Sequence, residues 1–275
     1  MIIDGKKIAA EILSSVKEQV KALPFVPIFC DVLVGEDPSS TQYVRMKAKT
    51  ADDIGIKFLQ ANFPESISTE ELVNEIQALN KTPGLCGLIV QLPLPKHIAT
   101  QQILDAIDPS IDVDCTGTAN SGLFYNNQSK LEFPTAKAVM AVLNSTGLDF
   151  SGKQFLVIGQ GKLVGLPVTK LLKNRGWEVL VADSKTENLA SAIKEVDVII
   201  SAAGQPGLIK GSAIKPGAII IDAGTSEQDG GIVGDVDSQS VEPIAGMLAP
   251  VPGGVGPVTV ACLLENVFQV ARLKK

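Results

Sequence analysis

One histidine, His97, and four scattered cysteines are all that this chain offers a soft metal ion. Structural zinc takes four such ligands at short spacings, and no C-x-x-C pair occurs, so no metal site is expected. Cys30 and Cys86 stand inside apolar runs, where a thiol is a small core residue. Aromatic residues make up 4% of the chain against 45% hydrophobic, so the core must be mostly Ile, Val, Leu and Ala. Positive charge is short as well. The 24 Lys and Arg face 30 Asp and Glu, and the net charge of −6 argues against a nucleic-acid or acidic-membrane partner. No uninterrupted apolar stretch reaches membrane-spanning length, and the opening Met-Ile-Ile-Asp-Gly-Lys-Lys lacks the charged-then-apolar order of a signal peptide. A cytoplasmic enzyme is expected. A length of 275 residues suits one large domain or two ordinary ones, and no fixed-period repeat suggests a solenoid.

What the chain does have is a glycine turn between an aliphatic run and a helix. Phe155 to Ile158 reads as a buried strand, Gly159-Gln160-Gly161-Lys162 as the turn, and the residues through Leu172 as the helix. Glycines at 159 and 161 leave no Cβ between the backbone and a pyrophosphate, and the helix would aim its free N–H groups at the phosphates. Gly165 would let the helix pack closely on its strand. The spacing, G-x-G-x-x-x-G, is one residue longer than the commonest dinucleotide fingerprint, and an ordinary strand-to-helix turn is the competing reading. Further aliphatic runs follow at Glu178–Ala182, Val196–Gly204 and Ala218–Gly224, as in strands buried on both faces of a parallel sheet.

The first third also alternates helix and strand, without a glycine fingerprint. Asp4 can cap a helix carrying Ile8, Ile12, Leu13, Val16 and Val20; Pro27–Val34 reads as a strand; Asp37-Pro38 starts a second helix that stops at Gly55. Lys57–Phe63 is another strand, Ser68-Thr69-Glu70-Glu71 a capping box, and Leu85–Gln91 a third strand. Ile103–Ile107 reads as a short helix and Asn120–Leu131 as loop. Pro134 starts a helix. Ala249–Pro257 is a rigid loop poor in side chains, and an apolar helix follows from about Val258 to Leu273. The fold class is therefore α/β. We expect two α/β domains with a cleft between them, the second a Rossmann-like parallel sheet. The first spans 1–135, joined by the C-terminal helix at about 255–275, and the dinucleotide-binding domain spans 136–254.

Tyr43 and Lys47 are four residues apart on one helix and share a face. A ring beside an amine can hold a flat substrate while the amine works on it, provided the amine spends time neutral. Burial beside cationic or non-anionic neighbours brings a lysine from about 10.4 toward ~7–8. The plainer reading is a solvated face containing Arg45, Lys47 and Lys49. Gln91 closes a strand, where its amide oxygen can accept from Lys47 without the negative charge of a carboxylate; alone it is a polar strand end. Asp112 and Asp114 are either turn formers or, in one case, a carboxylate that binds an N–H-rich ring.

Tyr43-Val44-Arg45-Met46-Lys47, Val90-Gln91-Leu92-Pro93-Leu94-Pro95, Asp112-Val113-Asp114 and Pro250-Val251-Pro252-Gly253-Gly254-Val255-Gly256-Pro257 occur in this order. Together they resemble the bifunctional methylenetetrahydrofolate dehydrogenase/methenyltetrahydrofolate cyclohydrolase family nearly end to end. The resemblance implies two reactions: hydride transfer from 5,10-methylenetetrahydrofolate to NAD(P), then hydrolysis of the methenyl product to 10-formyltetrahydrofolate. It implies that Lys47 is the general acid/base, Tyr43 stacks on the folate, Gln91 tunes the lysine and Asp114 holds the pterin. Val90, Leu92, Pro252, Gly253, Gly254, Val255 and Gly256 complete the implied substrate set. Gly159, Gln160, Gly161, Lys162, Gly165, Asp183, Ser184 and Thr225 form the implied cofactor set. A cytoplasmic homodimer paired through the nucleotide domain is implied too.

The chain departs from that family at several points. Gly159-Gln160-Gly161 replaces the usual Gly-Arg-Ser, removing an arginine that binds the 2′-phosphate of NADP, although Lys162 can act as a point charge there. Asp183-Ser184 replaces His-Ser; Asp183 lies 24 residues after Gly159, where an acid takes the ribose hydroxyls of NAD. NADP is the family default, and NAD is what these residues suggest. Cys115 stands where glycine is usual, and Phe133-Pro134-Thr135-Ala136 replaces Pro-Cys-Thr-Pro. The alternatives are a dehydrogenase without the hydrolase step and a non-catalytic dinucleotide- and folate-binding module.

Overall fold

A computed structural model describes residues 1–228 and 231–274; Lys275, the end of the expected C-terminal helix segment, lies outside them. The chain forms two compact units, exchanging between them after residues 10, 133 and 262.

One unit holds Glu11–Phe133 and the chain from Leu263. Its elements are most of α1 (Gly5–Lys21), β1 (Ile28–Val34), α2 (Pro38–Asp53), β2 (Lys57–Phe63), α3 (Thr69–Leu79), β3 (Leu85–Val90), α4 (Thr100–Asp105) and α5 (Thr118–Tyr125). The three strands pair in parallel in the order β2-β1-β3. The central strand, Ile-Phe-Cys-Asp-Val-Leu-Val, is buried at six of its seven positions, as a strand covered on both faces should be. Helix starts follow the sequence signals. Asp4 Oδ1 accepts from the Lys6 and Lys7 N–H groups, Asp37 Oδ2 accepts from Ser40 N at 2.7 Å, and Ser68 and Glu71 form the reciprocal capping box.

Helix α5 corrects the loop expected from Asn120. Its sequence has no amphipathic period, and its ends are held from outside. Asp105 Oδ1 accepts from Thr118 N at 2.7 Å, while Asn120 Nδ2 donates to the Pro109 and Asp112 carbonyls. Helix α4 starts three residues before the expected Ile103.

The other unit holds residues 134–262 and the first ten. It contains α6 (Pro134–Ser145), β4 (Gln154–Ile158), α7 (Gly165–Asn174), β5 (Glu178–Ala182), α8 (Leu189–Glu195), β6 (Val198–Ser201), β7 (Ile219–Asp222), β8 (Ser226–Gln228), β9 (Gly231–Val233), α9 (Ser238–Val241), β10 (Met247–Ala249) and the start of α10 (Val255–Leu273). Five parallel strands run in the order β10-β7-β6-β4-β5, over a core that includes Leu156, Ile158, Ile199, Ile220 and Leu248. The short antiparallel pair β8-β9 is not expected from sequence, because Ser226–Gln228 is polar throughout and neither three-residue strand carries an alternation.

Chain order puts the first ten residues in the expected 1–135 domain, but by their contacts they belong with this unit instead. Ile2 bridges Leu248, and the Met1 ammonium donates to the Gly246 carbonyl at 3.0 Å. Gly5 lies so close to the backbone that a Cβ there would sit 1.8 Å from Gly254 O. Helix α10 begins at Val255, about a turn earlier than expected, because Pro257 falls in its first turn, where no N–H is needed.

Candidate active site

Helix α2 brings Tyr43 and Lys47 onto one face, with the Lys47 Nζ 4.9 Å from the Tyr43 ring centroid. Lys47 is 1% exposed. It donates to Gln91 Oε1 at 2.8 Å. Gln91 is fixed because its own N–H donates to Val32 O at 2.8 Å, extending the sheet ladder one residue past β3, and its Nε2 donates to Leu92 O. Val90 is buried just before it and Leu92 is half-buried just after, at a cis Leu92–Pro93 bond. The amide-to-amine contact expected from sequence is therefore present.

The expected surroundings of that amine are not. A setting without carboxylates was anticipated, but Asp31 of β1 places Oδ2 2.5 Å from Lys47 Nζ, and Asp31 is 0% exposed. The contact is an ion pair: neither Asp31 oxygen takes a well-aligned hydrogen bond. Burial pushes the Asp31 carboxyl above the ordinary carboxylate range, against the opposing pull of Lys47. Sequence reading missed this residue, although one carboxylate in an otherwise apolar seven-residue strand was a visible signal.

The Asp112–Asp114 loop separates two roles that sequence left open. Asp112 is buried and accepts from the backbone N–H groups of Thr116 and Gly117, so it shapes the loop. Asp114 is half-buried, and no donor among the described residues reaches its carboxylate. Burial first, and then Asp112 and Asp31, push its carboxyl up to about 7 against the pull of Lys47. Burial, followed by Asp114 and Asp31, raises the Tyr43 phenol. Cys115 follows with φ 59°, a left-handed backbone that glycine adopts more cheaply.

The nucleotide turn lies in the other unit. Gly159 has φ 87°, and a Cβ there would lie 2.3 Å from Ala202 O; at Gly165 it would lie 1.8 Å from Gly159 O. A Cβ at Gly161 would meet no atom of the described residues within 4 Å. No side chain among the described residues caps the start of α7; Leu166 N donates to Gly161 O and Pro167 has no N–H, which leaves the Gly165 N–H as the first-turn donor for a ligand. Gln160 folds back, donating from Nε2 to Gly159 O at 3.1 Å. Lys162, Asp183, Ser184 and Thr225 are exposed. Asp183 follows β5 and accepts on Oδ1 from Lys185 N.

Two buried carboxylates tie the strand ends of this unit. Asp235 accepts from Ser201 Oγ, Ala203 N and Gln205 N, and Asp222 accepts from Gly224, Asp235 and Val236 N–H groups. Burial lifts the Asp222 carboxyl to about 6. In the run after the cis Val251–Pro252 bond, Pro252 is exposed and Val255 buried, Gly253 has φ 99° with open space about it, and Gly256 is exposed. Gly254 is tight against the backbone, 2.5 Å from Pro250 O to an added Cβ.

Among known proteins, the chain is 39% identical over 278 residues to the bifunctional protein FolD of Staphylococcus aureus, spanning 100% of this chain and 97% of that one. The structure matches that of the bifunctional enzyme FolD, a methylenetetrahydrofolate dehydrogenase/cyclohydrolase from Campylobacter jejuni, at a TM-score of 0.95 and 36% identity, covering 100% and 99% of the two chains. It also matches Trypanosoma brucei N5,N10-methylenetetrahydrofolate dehydrogenase-cyclohydrolase, solved with NADP cofactor and inhibitor, at 0.94 and 35%, covering 100% and 98%. Residues 3–114 match the family model of the tetrahydrofolate dehydrogenase/cyclohydrolase catalytic domain, and residues 134–275 match its NAD(P)-binding domain. The chain belongs to the tetrahydrofolate dehydrogenase/cyclohydrolase family.

Proposed function

We propose that this chain oxidises 5,10-methylenetetrahydrofolate to 5,10-methenyltetrahydrofolate with a nicotinamide dinucleotide and then hydrolyses that product to 10-formyltetrahydrofolate, a step of one-carbon metabolism. The observation that carries the reading is the buried Lys47 amine, set beneath the Tyr43 ring and donating to Gln91 Oε1 at 2.8 Å.

The nicotinamide, when bound, accepts the hydride from the bridging carbon. The bare Gly161 and the uncapped start of α7 fit its pyrophosphate. The chain's own work is alignment and proton handling. Tyr43 supplies a flat face for the folate, and the open Asp114 carboxylate accepts from pterin N–H donors. Backbone near Val90, Gln91 and Leu92 adds to the substrate contacts. In the hydration, water oxygen bonds to the methenyl carbon and gives a proton to Lys47 Nζ. The carbon–N5 bond then breaks, N5 takes that proton back from Lys47, and the remaining hydroxyl proton leaves to solvent.

Asp114 gives this reading a pH signature. Its carboxyl titrates near 7, so the ionised acceptor is present above that pH and lost below it. The kcat/KM for methylenetetrahydrofolate is expected to fall about tenfold per pH unit on the acid side. Asp114→Asn should be slow throughout and lack that limb; an unchanged limb in the variant would assign it elsewhere.

For the cofactor, we infer that NAD serves at least as well as NADP. Asp183 offers a carboxylate where ribose hydroxyls bind and would repel a 2′-phosphate, and Gln160 is turned onto its own backbone. The measurement is the ratio of kcat/KM for the two cofactors; an NADP preference of about a hundredfold, roughly 2.7 kcal/mol, contradicts the inference. We also propose a cytoplasmic homodimer formed through the nucleotide domain. The edge strand β5 supports the pairing, since it leaves Leu180 42% and Val181 48% exposed.

A further inference from the structure

Asp31 takes no part in the chemistry described so far. It sits on the central strand β1, among six residues that are all apolar. A valine would pack there without the desolvation cost of a carboxylate, and replacing buried ion pairs with apolar residues is often neutral or stabilising. The carboxylate has no aligned hydrogen bond to offset that cost, only the Lys47 amine at 2.5 Å. A group retained on those terms, touching the amine that handles the proton, calls for a role in the amine's protonation.

We propose that Asp31 is a positioning residue for the hydration step: its carboxylate holds the Lys47 amine against Gln91 and sets the pH range in which that amine takes a proton from water. This rests on the reading of Lys47 as the acid/base. The other groups facing the pair are few. From α2 comes the Tyr43 phenol; from the loop after α4 comes Asp114, with Asp112 behind it; the Cys30 thiol precedes Asp31 on β1 and feels its charge. Burial first, and then Asp31, push Cys30 up to about 12, so it stays neutral. Gln91 is uncharged. Asp31 is therefore the charge in direct contact with the amine. An anion in contact favours the ammonium form, so its removal lets an amine lose its proton at lower pH.

The test is the pH dependence of kcat for hydration of 5,10-methenyltetrahydrofolate at saturating substrate, without nicotinamide. Saturation engages Asp114 with the pterin and removes its binding limb. In Asp31→Asn the acid limb should move to lower pH by about one unit or more, so that the relative rate on the acid side rises up to about tenfold, while KM changes by less than about twofold. If Asp31→Asn fails to fold, Asp31→Thr, a β-branched residue of similar size, takes the same measurement. Superimposable profiles overturn the proposal, as does hydration lost at every pH with hydride transfer intact. Undiminished hydration in Lys47→Met would instead overturn the underlying reading of Lys47, a separate result.

Discussion

Lys47→Met lowers the hydration of 5,10-methenyltetrahydrofolate by about 10²–10⁴-fold, the usual range for losing a positioned acid/base. Methionine keeps much of the aliphatic stem and removes the amine. The assay needs no nicotinamide, so it separates this step from hydride transfer, which should also fall if the amine helps hold the folate. A chain without the hydrolase activity would show no hydration to lose.

The fold adds a condition to this experiment. Removing Lys47 leaves the Asp31 carboxylate buried with no counter-charge. Breaking a buried pair costs about 3–5 kcal/mol unless the survivor neutralises. Asp31 in the variant would escape by binding a proton, because burial already raises it. A carboxyl with a raised folded-state value contributes stability that is present below about pH 4, its unfolded range, and lost as pH rises through the folded value. Lys47→Met should therefore melt lower at neutral pH than in mild acid, relative to the unsubstituted protein. Combining it with Asp31→Asn should restore the melting temperature without restoring hydration. Recovery of hydration in the double variant would mean that the loss was one of folding.

The second large effect is at the nucleotide turn. Gly165→Ala places a Cβ 1.8 Å from Gly159 O, with Gly159 C at 2.8 Å. Both are backbone atoms, so no flexible side chain can give way. Helix α7 would have to lift from β4, although its Pro167, Val168, Leu171 and Leu172 are buried. We expect a loss of roughly 3 kcal/mol or more in denaturant unfolding, the upper end for overpacking, with hydride transfer abolished. Gly161→Ala is the control. It adds the same methyl to the same turn, where no atom of the described residues lies within 4 Å. Its stability should stay within about 0.5 kcal/mol, as at ordinary surface sites. Its dinucleotide affinity should fall about tenfold or more, because the methyl occupies the phosphate approach. Equal destabilisation by both variants would mean that the turn is packed differently.

The nucleotide unit was legible because its strands are continuous aliphatic runs and its turn carries glycine where a Cβ has no room. Helix starts at Asp37 and Ser68 were legible because their signals are local side-chain-to-backbone bonds. Tyr43, Lys47 and Gln91 could be placed together from a helix face and a strand end. Asp31 could not: a lone carboxylate in an apolar strand is visible, but its significance depends on what packs over β1. Helix α5 was missed for a related reason: Asp105 and Asn120 hold it through contacts that no helical period announces. The attachment of the first ten residues to β10 is equally non-local, joining Ile2 to Leu248. Cys115 was noticed as the replacement for a usual glycine; its φ of 59° supplies the physical reason why glycine suits that position.

The most direct test compares single-turnover decay of 5,10-methenyltetrahydrofolate in buffer, with the unsubstituted protein, and with the Asp31→Asn, Lys47→Met double variant at equal folded concentration and no dinucleotide present. Rapid decay with the unsubstituted protein, and decay near the buffer rate with the double variant, is the predicted result. Equal decay with both proteins would contradict the assignment of the proton-handling group to Lys47.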